Sequence, residues 1–253
     1  SVSFDWYQRT TNDMLAPGKA IPSVAGASAP FTNAGTMRTR GWELTLNYRK
    51  QINKDLNVYA QFNIGDSKSK ITKWNSDSKI IGYTGGIVST SSARMYAYEG
   101  ETWGDIWGFE TDRYFTEADF NGKDANGKWI YNKGVADQTG IQTNNFVYGP
   151  GDIKYKDLNG DGVIDGGKGT ADDHGDLKVI GNSTPRYEYS FRLGADYKGF
   201  DFSIYCQGIG KRKIWGAGQL AIPGWNAKEG AMPETFCKDY WTEDNTDAYY
   251  PRA

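Results

Sequence analysis

The chain has 253 residues, and its 29 Lys and Arg against 31 Asp and Glu give a formal net charge of −2. This near balance argues against a nucleic-acid binder, because contacts to a phosphate backbone need a clustered basic surface. Only 38% of the residues are hydrophobic, and no apolar run reaches the roughly 18 residues that a transmembrane helix needs. The 9 Trp, 17 Tyr, 11 Phe and 32 Gly instead favour strands and turns.

In chain order, the first predicted strand is residues 3–11, which alternate less cleanly than the hairpin that follows them. That hairpin joins residues 40–49 to residues 56–64 through a short polar link. Period-two alternation predicts it, because successive side chains of a strand point to opposite sides. Its apolar side consists of Trp42, Leu44, Leu46, Tyr48, Leu56, Val58, Ala60, Phe62 and Ile64.

Further strands are predicted at about residues 92–98 and at 103–115, with Glu99-Gly100-Glu101 as the turn between them. A second clear hairpin joins residues 187–197 to residues 200–206 through Lys198-Gly199, where Gly accommodates the positive φ of a two-residue turn. Its apolar side consists of Tyr187, Tyr189, Phe191, Leu193, Ala195, Tyr197, Phe200, Phe202, Ile204 and Cys206.

Two all-β folds fit these hairpins. In a soluble sandwich the apolar sides form the core, whereas in an outer-membrane barrel they face lipid and the polar sides face the lumen. The barrel is favoured because Tyr48, Tyr187 and Tyr197 lie near strand ends and because short turns alternate with very long connections. About seven strands cannot close such a barrel. We therefore expect an arc of a larger antiparallel transmembrane β-barrel, within a longer precursor.

An acidic segment between the hairpins resembles the first part of an EF-hand calcium loop. Gly162 takes the sixth position of this segment, where the turn is sharp. Position 12 is Lys168 rather than Glu, so the closing ligand is left open among Asp172, Asp173 and Asp176. The oxygen donors at positions 1, 3, 5, 7 and 9 are Asp157, Asn159, Asp161, the Val163 carbonyl and Asp165.

Two interpretations of this acidic segment remain. An Asn-, Asp- and Gly-rich turn without a metal is one, and a structural calcium clamp is the other. Calcium is favoured because so many oxygen donors in a short segment would repel one another without a cation. No helices flank the loop, so a role as a calcium sensor is not expected.

Nothing in the sequence calls for an active site, and we expect that the chain is not an enzyme. His174 is the single histidine, and no nucleophile elbow follows a strand. Carboxylates are plentiful, but none is marked as the buried acid that a hydrolase would need. Cys206 and Cys237 have no metal-binding spacing, and sequence leaves open whether they form a disulfide.

The order of motifs resembles the SusC/RagA-type TonB-dependent outer-membrane transporters of the Bacteroidetes. The resemblance covers almost the whole chain and is most specific from the acidic loop to the second hairpin. The segments that carry it are 33–44 (NAGTMRTRGWEL), 98–101 (YEGE), 107–109 (WGF), 150–155 (PGDIKY), 179–185 (VIGNSTP), 197–201 (YKGFD), 240–242 (YWT), 245–248 (NTDA) and 250–252 (YPR).

This resemblance implies a 22-stranded barrel with an N-terminal plug, of which residues 1–253 would be a late, partial barrel domain. Residues 150–185 would form an extracellular loop, and Asp176 would be its closing calcium ligand. The plug, the TonB-contacting segment and the final strands are not in this sequence.

The resemblance also implies import of oligosaccharides, or of peptides in some members, through the outer membrane. The partners would be a SusD-like surface lipoprotein, the TonB complex, outer-membrane lipid and the rest of the barrel and plug. A dimer of SusC–SusD pairs is compatible with it, and nucleic acid is not expected. The alternative function is a soluble, calcium-stabilised carbohydrate-binding β-domain.

Overall fold

The computed structural model describes residues 1–17, 22, 24, 26, 31–74, 81–83, 95–97, 99–142, 146–168, 172–214, 216 and 232–252. The chain divides into two compact units. The sheet unit contains residues 1–82, 96–105 and 181–214, and the loop unit contains residues 83–95, 106–180 and 215–253. Within the described residues, no helix has the length and apolarity needed to cross a membrane. The expected assignment of residues 1–253 to one partial barrel domain stays a prediction.

Five long antiparallel strands build the sheet unit, in the spatial order β1-β2-β3-β12-β13. Strands β2 and β3 are longer than the 9–11 residues that cross a bilayer, so their ends continue beyond the apolar side chains. The bounds are β1 Val2–Pro17, β2 Phe31–Gln51, β3 Leu56–Trp74, β12 Arg186–Tyr197 and β13 Phe200–Lys211.

The pairing of neighbouring strands brings their apolar side chains onto one face. Phe62 lies opposite Leu46 of β2 and opposite Phe191 of β12, and Leu193 lies opposite Ile204 of β13. A shift of one residue in any of these pairings would transfer a whole apolar row to the other side. Both predicted hairpins are confirmed, and they are neighbours through β3 and β12.

The short strands pair in twos outside this sheet: β10 with β7, β11 with β6, β4 with β5 and β8 with β9. Outside the strands, the regular elements in the described part of the chain include the 3-10 turns Glu117–Asp119 and Thr139–Ile141 and the helix α1 at Glu234–Lys238. The bounds are β4 Ile81–Tyr83, β5 Met95–Ala97, β6 Asp105–Phe109, β7 Thr111–Tyr114, β8 Phe120–Lys123, β9 Trp129–Tyr131, β10 Ile153–Tyr155 and β11 Leu177–Asn182.

The weaker strand predictions are refined by the structure. Residues 3–11 belong to the 16-residue strand β1, which forms one edge of the sheet. Residues 103–115 form the two short strands β6 and β7, and these pair with β11 and β10 instead of joining the sheet. Of residues 92–98, only the strand at 95–97 lies within the described residues. The described part of the sheet therefore has five strands, fewer than the expected count of about seven.

Candidate functional site

The apolar face of the sheet is exposed, which is unusual for a face of this composition. The exposed fractions are 63% for Phe4, 61% for Trp6, 80% for Phe200 and 65% for Phe202. Leu193, in the middle of β12, is 50% exposed. Contiguous exposed apolar surface marks a contact with another protein or with a membrane. In the described structure, these side chains therefore do not form the dry interior of a soluble sandwich.

Aromatic residues lie at both ends of this apolar face. Tyr48 and Tyr197 lie at the end with the short turns, and Trp6 faces Trp42 across β1 and β2 toward the other end. At about 3.3 Å per residue, the stretch of β12 from Tyr187 to Tyr197 spans about 33 Å. At a typical barrel tilt of about 40°, a strand stretch of this length has a height of about 25 Å along the barrel axis, which is the height of the apolar band of outer-membrane barrels.

The opposite face of the sheet is polar and is linked by hydrogen bonds between strands. The Thr45 hydroxyl donates to the Asn63 carbonyl oxygen at 3.0 Å, and the Asn63 amide donates to the Ser190 hydroxyl at 3.2 Å. A shallow concave region on this face contains Glu43 and Glu188. Such a surface is suited to bordering water and polar solutes.

Glycines on β2 and β12 let tyrosine rings lie flat on the polar face. A Cβ on Gly194 would lie 2.2 Å from Cζ of Tyr59, and one on Gly41 would lie 2.5 Å from Cζ of Tyr7. Because real carbon atoms do not approach so closely, glycine is required at both positions for the rings to keep these places. The tyrosines thereby cover backbone that would otherwise be bare.

The sheet has two edges, β1 and β13, that pair with no other strand among the described residues. Unpaired backbone groups cost several kcal/mol each in hydrocarbon, roughly as much as a buried polar group without a partner. A membrane location for the apolar face therefore requires further strands along both edges.

In the acidic loop of the loop unit, the backbone has the turn that the calcium motif needs. Gly162 has a φ of +84°, a conformation that favours glycine. The Asp157 carboxylate accepts the N–H groups of Gly160 and Gly162 at 2.6 and 2.9 Å. Asp161 accepts the Val163 N–H at 2.8 Å and the Asn159 side-chain amide at 2.9 Å. These bonds fold the first seven positions of the motif into one exposed turn.

Asp176 is fully buried and connects the two ends of this loop. One carboxylate oxygen accepts the Leu158 N–H at 2.6 Å, and the other accepts the Asp165 N–H at 3.0 Å. The Asp165 carbonyl in turn accepts the Asp176 N–H. The sequence left three candidates for the closing ligand. Of these, Asp176 lies against the loop backbone, while Asp173 forms an ion pair with Lys168.

The expected ligands fit a cation only in part. Asp157, Asn159 and Asp161 present oxygens from one turn, which is the donor set that Ca²⁺ prefers. However, no group of three His, Cys, Asp or Glu side chains in the described ranges is arranged to hold a metal ion. The carboxylates of Asp157, Asp161 and Asp165 instead accept backbone N–H groups. The loop therefore has hydrogen bonds that hold its backbone without a metal.

An aromatic core supports the loop unit. Phe115 is fully buried, and its ring centroid lies 5.1 Å from that of Phe120 and 5.8 Å from that of Tyr131. Trp129 packs on Phe120 at 5.2 Å. Burial raises the pKa of the Tyr131 phenol to about 12. Trp129 and Tyr131 therefore pack within the loop unit.

Two buried carboxylates in the loop unit, Asp119 and Asp152, form ion pairs that could not be found from the sequence. Asp119 accepts two hydrogen bonds from Arg113, at 2.6 and 2.7 Å, and one from Lys154 at 3.0 Å. Burial alone would raise the pKa of Asp119, but these cations and the Thr116 N–H lower it well below its ordinary range. Asp152 pairs with Arg252, 100 residues further along the chain. No local pattern identifies partners that are so far apart in sequence.

The two cysteines are free thiols and both are exposed. Cys206 lies on the apolar face of β13, opposite Phe191, and Cys237 lies in α1. Cys206 and Cys237 therefore do not form a disulfide in this structure.

No protein-family model matches the chain. Two receptors of Formosa agariphila (strain DSM 15362 / KCTC 12365 / LMG 23005 / KMM 3901 / M-2Alg 35-1) are similar to it. TonB-dependent receptor P3 is 27% identical over 252 residues, which cover 99% of this chain and 22% of that receptor. TonB-dependent receptor P26 is 24% identical over 253 residues, which cover 100% of this chain and 22% of that receptor. The chain thus spans about a fifth of the length of these curated relatives.

The fold is similar to part of the RagAB peptide importer. In its open-open state that structure covers 99% of this chain with a TM-score of 0.61 and 21% identity, over 23% of its own chain. In the closed-closed state the TM-score is 0.56, the identity 18% and the coverage 99% of this chain and 24% of that one. At these identities the likeness establishes the fold alone.

The resemblance to SusC/RagA-type TonB-dependent transporters is confirmed by these relatives and neighbours. The fold is an antiparallel sheet like a segment of the RagA transporter barrel, as expected. The relatives are named as receptors, in agreement with the expectation that the chain is not an enzyme.

Proposed function

We propose that this chain is one arc of the wall of a TonB-dependent transporter in the bacterial outer membrane. The apolar face of the sheet contacts lipid, and the polar face borders the lumen. The observation that carries this proposal is the sheet itself, with one apolar face exposed, the other face polar, and no partner strand for either edge among the described residues. The missing strands and the plug belong to the rest of the same polypeptide. We call this longer polypeptide the parent transporter, or the parent protein.

The proposed cargo is an oligosaccharide or a peptide, taken up together with a SusD-like surface lipoprotein and with energy from the TonB complex. The similarity to a peptide importer supports peptides, and the resemblance to the SusC type supports oligosaccharides. Titration of the detergent-solubilised parent transporter with a mixed oligosaccharide digest and with a mixed peptide digest decides between these cargo classes. Copurification with the product of the neighbouring gene identifies the lipoprotein.

The competing proposal, a soluble carbohydrate-binding β-domain, is disfavoured by the exposed apolar face. Such a domain would have to cover Phe4, Phe200 and Phe202, which are more than half exposed here. Fractionation of cells that make the parent protein separates the two proposals. Extraction only with detergent supports the transporter, and recovery in the buffer fraction contradicts it.

The two cysteines sharpen this test within one molecule. Cys206 should resist a water-soluble maleimide in intact membranes, because lipid would surround it and thiol alkylation needs the hydrated thiolate. Cys237 provides the matched control, since it should react under the same conditions. If both cysteines react in membranes at similar rates, the apolar face does not contact lipid.

For the acidic loop we propose a structural calcium ion held by Asp157, Asn159, Asp161, the Val163 carbonyl and Asp165, with Asp176 as the closing residue. The support is the donor set and the tight turn at Gly162. The double variant Asp157→Ala/Asp161→Ala of the parent transporter should unfold at a lower temperature in calcium buffer. Asp124→Ala is the control, because Asp124 also accepts two N–H groups in an exposed turn. The proposal fails if chelation leaves the unmodified protein unchanged.

A further inference from the structure

Basic side chains lie on the apolar side of the sheet just beyond its aromatic end. Leu44, Trp42, Arg40 and Arg38 alternate along β2 and share one side of that strand. Arg40 lies directly opposite Lys68 of β3, and Arg38 lies directly opposite Lys70. We call Arg38, Arg40, Lys68 and Lys70 the outward basic cluster.

Like charges oppose each other in both of these cross-strand pairs. Side chains directly opposite in an antiparallel pair have Cβ atoms only about 4.5–5.5 Å apart, and like charges there are destabilising. The nearby carboxylate of Asp66 is already paired with Arg186. Arg40 donates to the side-chain oxygen of Gln8 at 2.8 Å, and Lys68 acts electrostatically on the buried Asp105. Among the described residues, no carboxylate forms an ion pair with Arg38 or Lys70.

The cluster lies at the depth of lipid head groups if the apolar face contacts lipid. The distance from Leu44 to Arg40 is about 13 Å along the strand, which corresponds to about 10 Å across the membrane at a tilt of about 40°. The aromatic pair Trp6 and Trp42 lies between them, at the level where aromatic girdles meet the membrane–water interface. Phosphate groups of lipids lie at this depth, immediately outside the hydrocarbon.

We propose that the outward basic cluster binds the phosphate groups of the glycolipid in the outer leaflet of the membrane. Arg offers a planar fork of donors to phosphate oxygens, and Lys offers a mobile point charge. The bound phosphates supply the negative charge that the opposed pairs Arg38–Lys70 and Arg40–Lys68 lack. This inference rests on the proposed membrane location. It adds to that proposal a specific ligand, a phosphorylated glycolipid, for the outward basic cluster.

The test compares two double variants of the full parent transporter in detergent. Arg38→Gln/Lys70→Gln removes the opposed pair that has no ion-pair partner among the described residues, and it leaves the Arg40–Gln8 hydrogen bond in place. Lys50→Gln/Lys54→Gln is the control, since it removes two exposed cations at the opposite, short-turn end. The probes are purified lipopolysaccharide, the same lipid after dephosphorylation, and inorganic phosphate.

Each lost cation should weaken binding to an anionic lipid about fivefold, so the first variant should bind lipopolysaccharide about 25-fold more weakly. The control variant should bind it as the unmodified protein does, and the dephosphorylated lipid should bind weakly to all three proteins. Equal affinities of the two variants, or equal binding of the dephosphorylated lipid, would overturn the inference. Saturation of the cluster by inorganic phosphate at the same concentration as by lipopolysaccharide would also overturn it.

Failure of the membrane proposal itself would look different. In that case the parent protein would leave cells in the buffer fraction, before any lipid is added. A protein that needs detergent but binds the lipid without using Arg38 and Lys70 would keep the proposed function and refute only this inference.

Discussion

Replacement of Leu193 by Arg should destabilise the parent transporter strongly, because this side chain lies in the middle of the apolar face. Leu193 lies opposite Ala60 and Ile204 and is 50% exposed. If that exposed half contacts lipid, an Arg at the membrane midplane costs about 2–4 kcal/mol. This corresponds to a roughly 30- to 900-fold change in the ratio of folded to unfolded protein. On a surface that faces water, the same change would cost within about 0.5 kcal/mol.

The assay is chemical denaturation of the transporter reconstituted in lipid vesicles, followed by tryptophan fluorescence. Tyr197→Arg, at the end of the apolar face, should cost only about 0–1 kcal/mol, because the cost falls toward the interface. Ser203 is exposed on the polar face, so Ser203→Arg should lower the free energy of unfolding by no more than about 0.5 kcal/mol. Similar losses for Leu193→Arg and Ser203→Arg would refute the assignment of the two faces.

Three further changes test the packing, the loop and the buried charge. Gly194→Ala should destabilise by about 1–3 kcal/mol through overpacking, since its Cβ would lie 2.2 Å from Cζ of Tyr59; thermal unfolding measures this. Asp176→Asn should cost about 1–3 kcal/mol, because an amide replaces one of two buried acceptors of backbone N–H groups by a donor; unfolding in a chelator measures this without calcium. The lowered pKa of Asp119 beside Arg113 predicts a stability contribution that is complete above about pH 5 and is lost as the pH falls through the acid range.

Each of these changes has its own control. Tyr59→Ala should remove most of the effect of Gly194→Ala, and equal losses with and without it would exclude the clash. If Asp176→Asn is neutral in chelator but destabilising in calcium, Asp176 acts as a metal ligand and not as the anchor of the loop. Asp119→Asn should abolish the loss of stability below about pH 4 that Asp119 causes, and an unchanged acid profile would contradict the assignment.

Local alternation was sufficient to predict the two hairpins and their apolar sides. In β2, β3, β12 and β13 each side of the strand has its own residue class, so the period of two is visible without a partner. The segment 103–115 has no long alternation, and it forms two short strands. The first residues of β6 are buried on both sides of the strand, whereas those of β7 are mostly exposed, and neither environment imposes a period of two.

Long-range contacts could not be predicted in the same way. The pairing of β3 with β12 joins Phe62 to Phe191 across a long insertion, and no turn residue specifies it. The hydrogen bonds from Lys154 to Asp119 and from Arg252 to Asp152 depend on how the loop unit closes on itself. For the acidic loop, the sequence predicted the turn at Gly162, whereas the burial of Asp176 appeared only in the folded chain.

The central claim, that the apolar face contacts lipid and the polar face borders water, is tested most directly by spin labels along β12. Single labels at positions 188–195 of the parent transporter, in lipid vesicles and with Cys206→Ser and Cys237→Ser, report collisions with oxygen and with a water-soluble nickel complex. We predict oxygen maxima at Tyr189, Phe191, Leu193 and Ala195, and nickel maxima at Glu188, Ser190 and Arg192. Low collision rates with both reagents at Tyr189, Phe191, Leu193 and Ala195 would place these side chains in a dry protein interior and contradict the account.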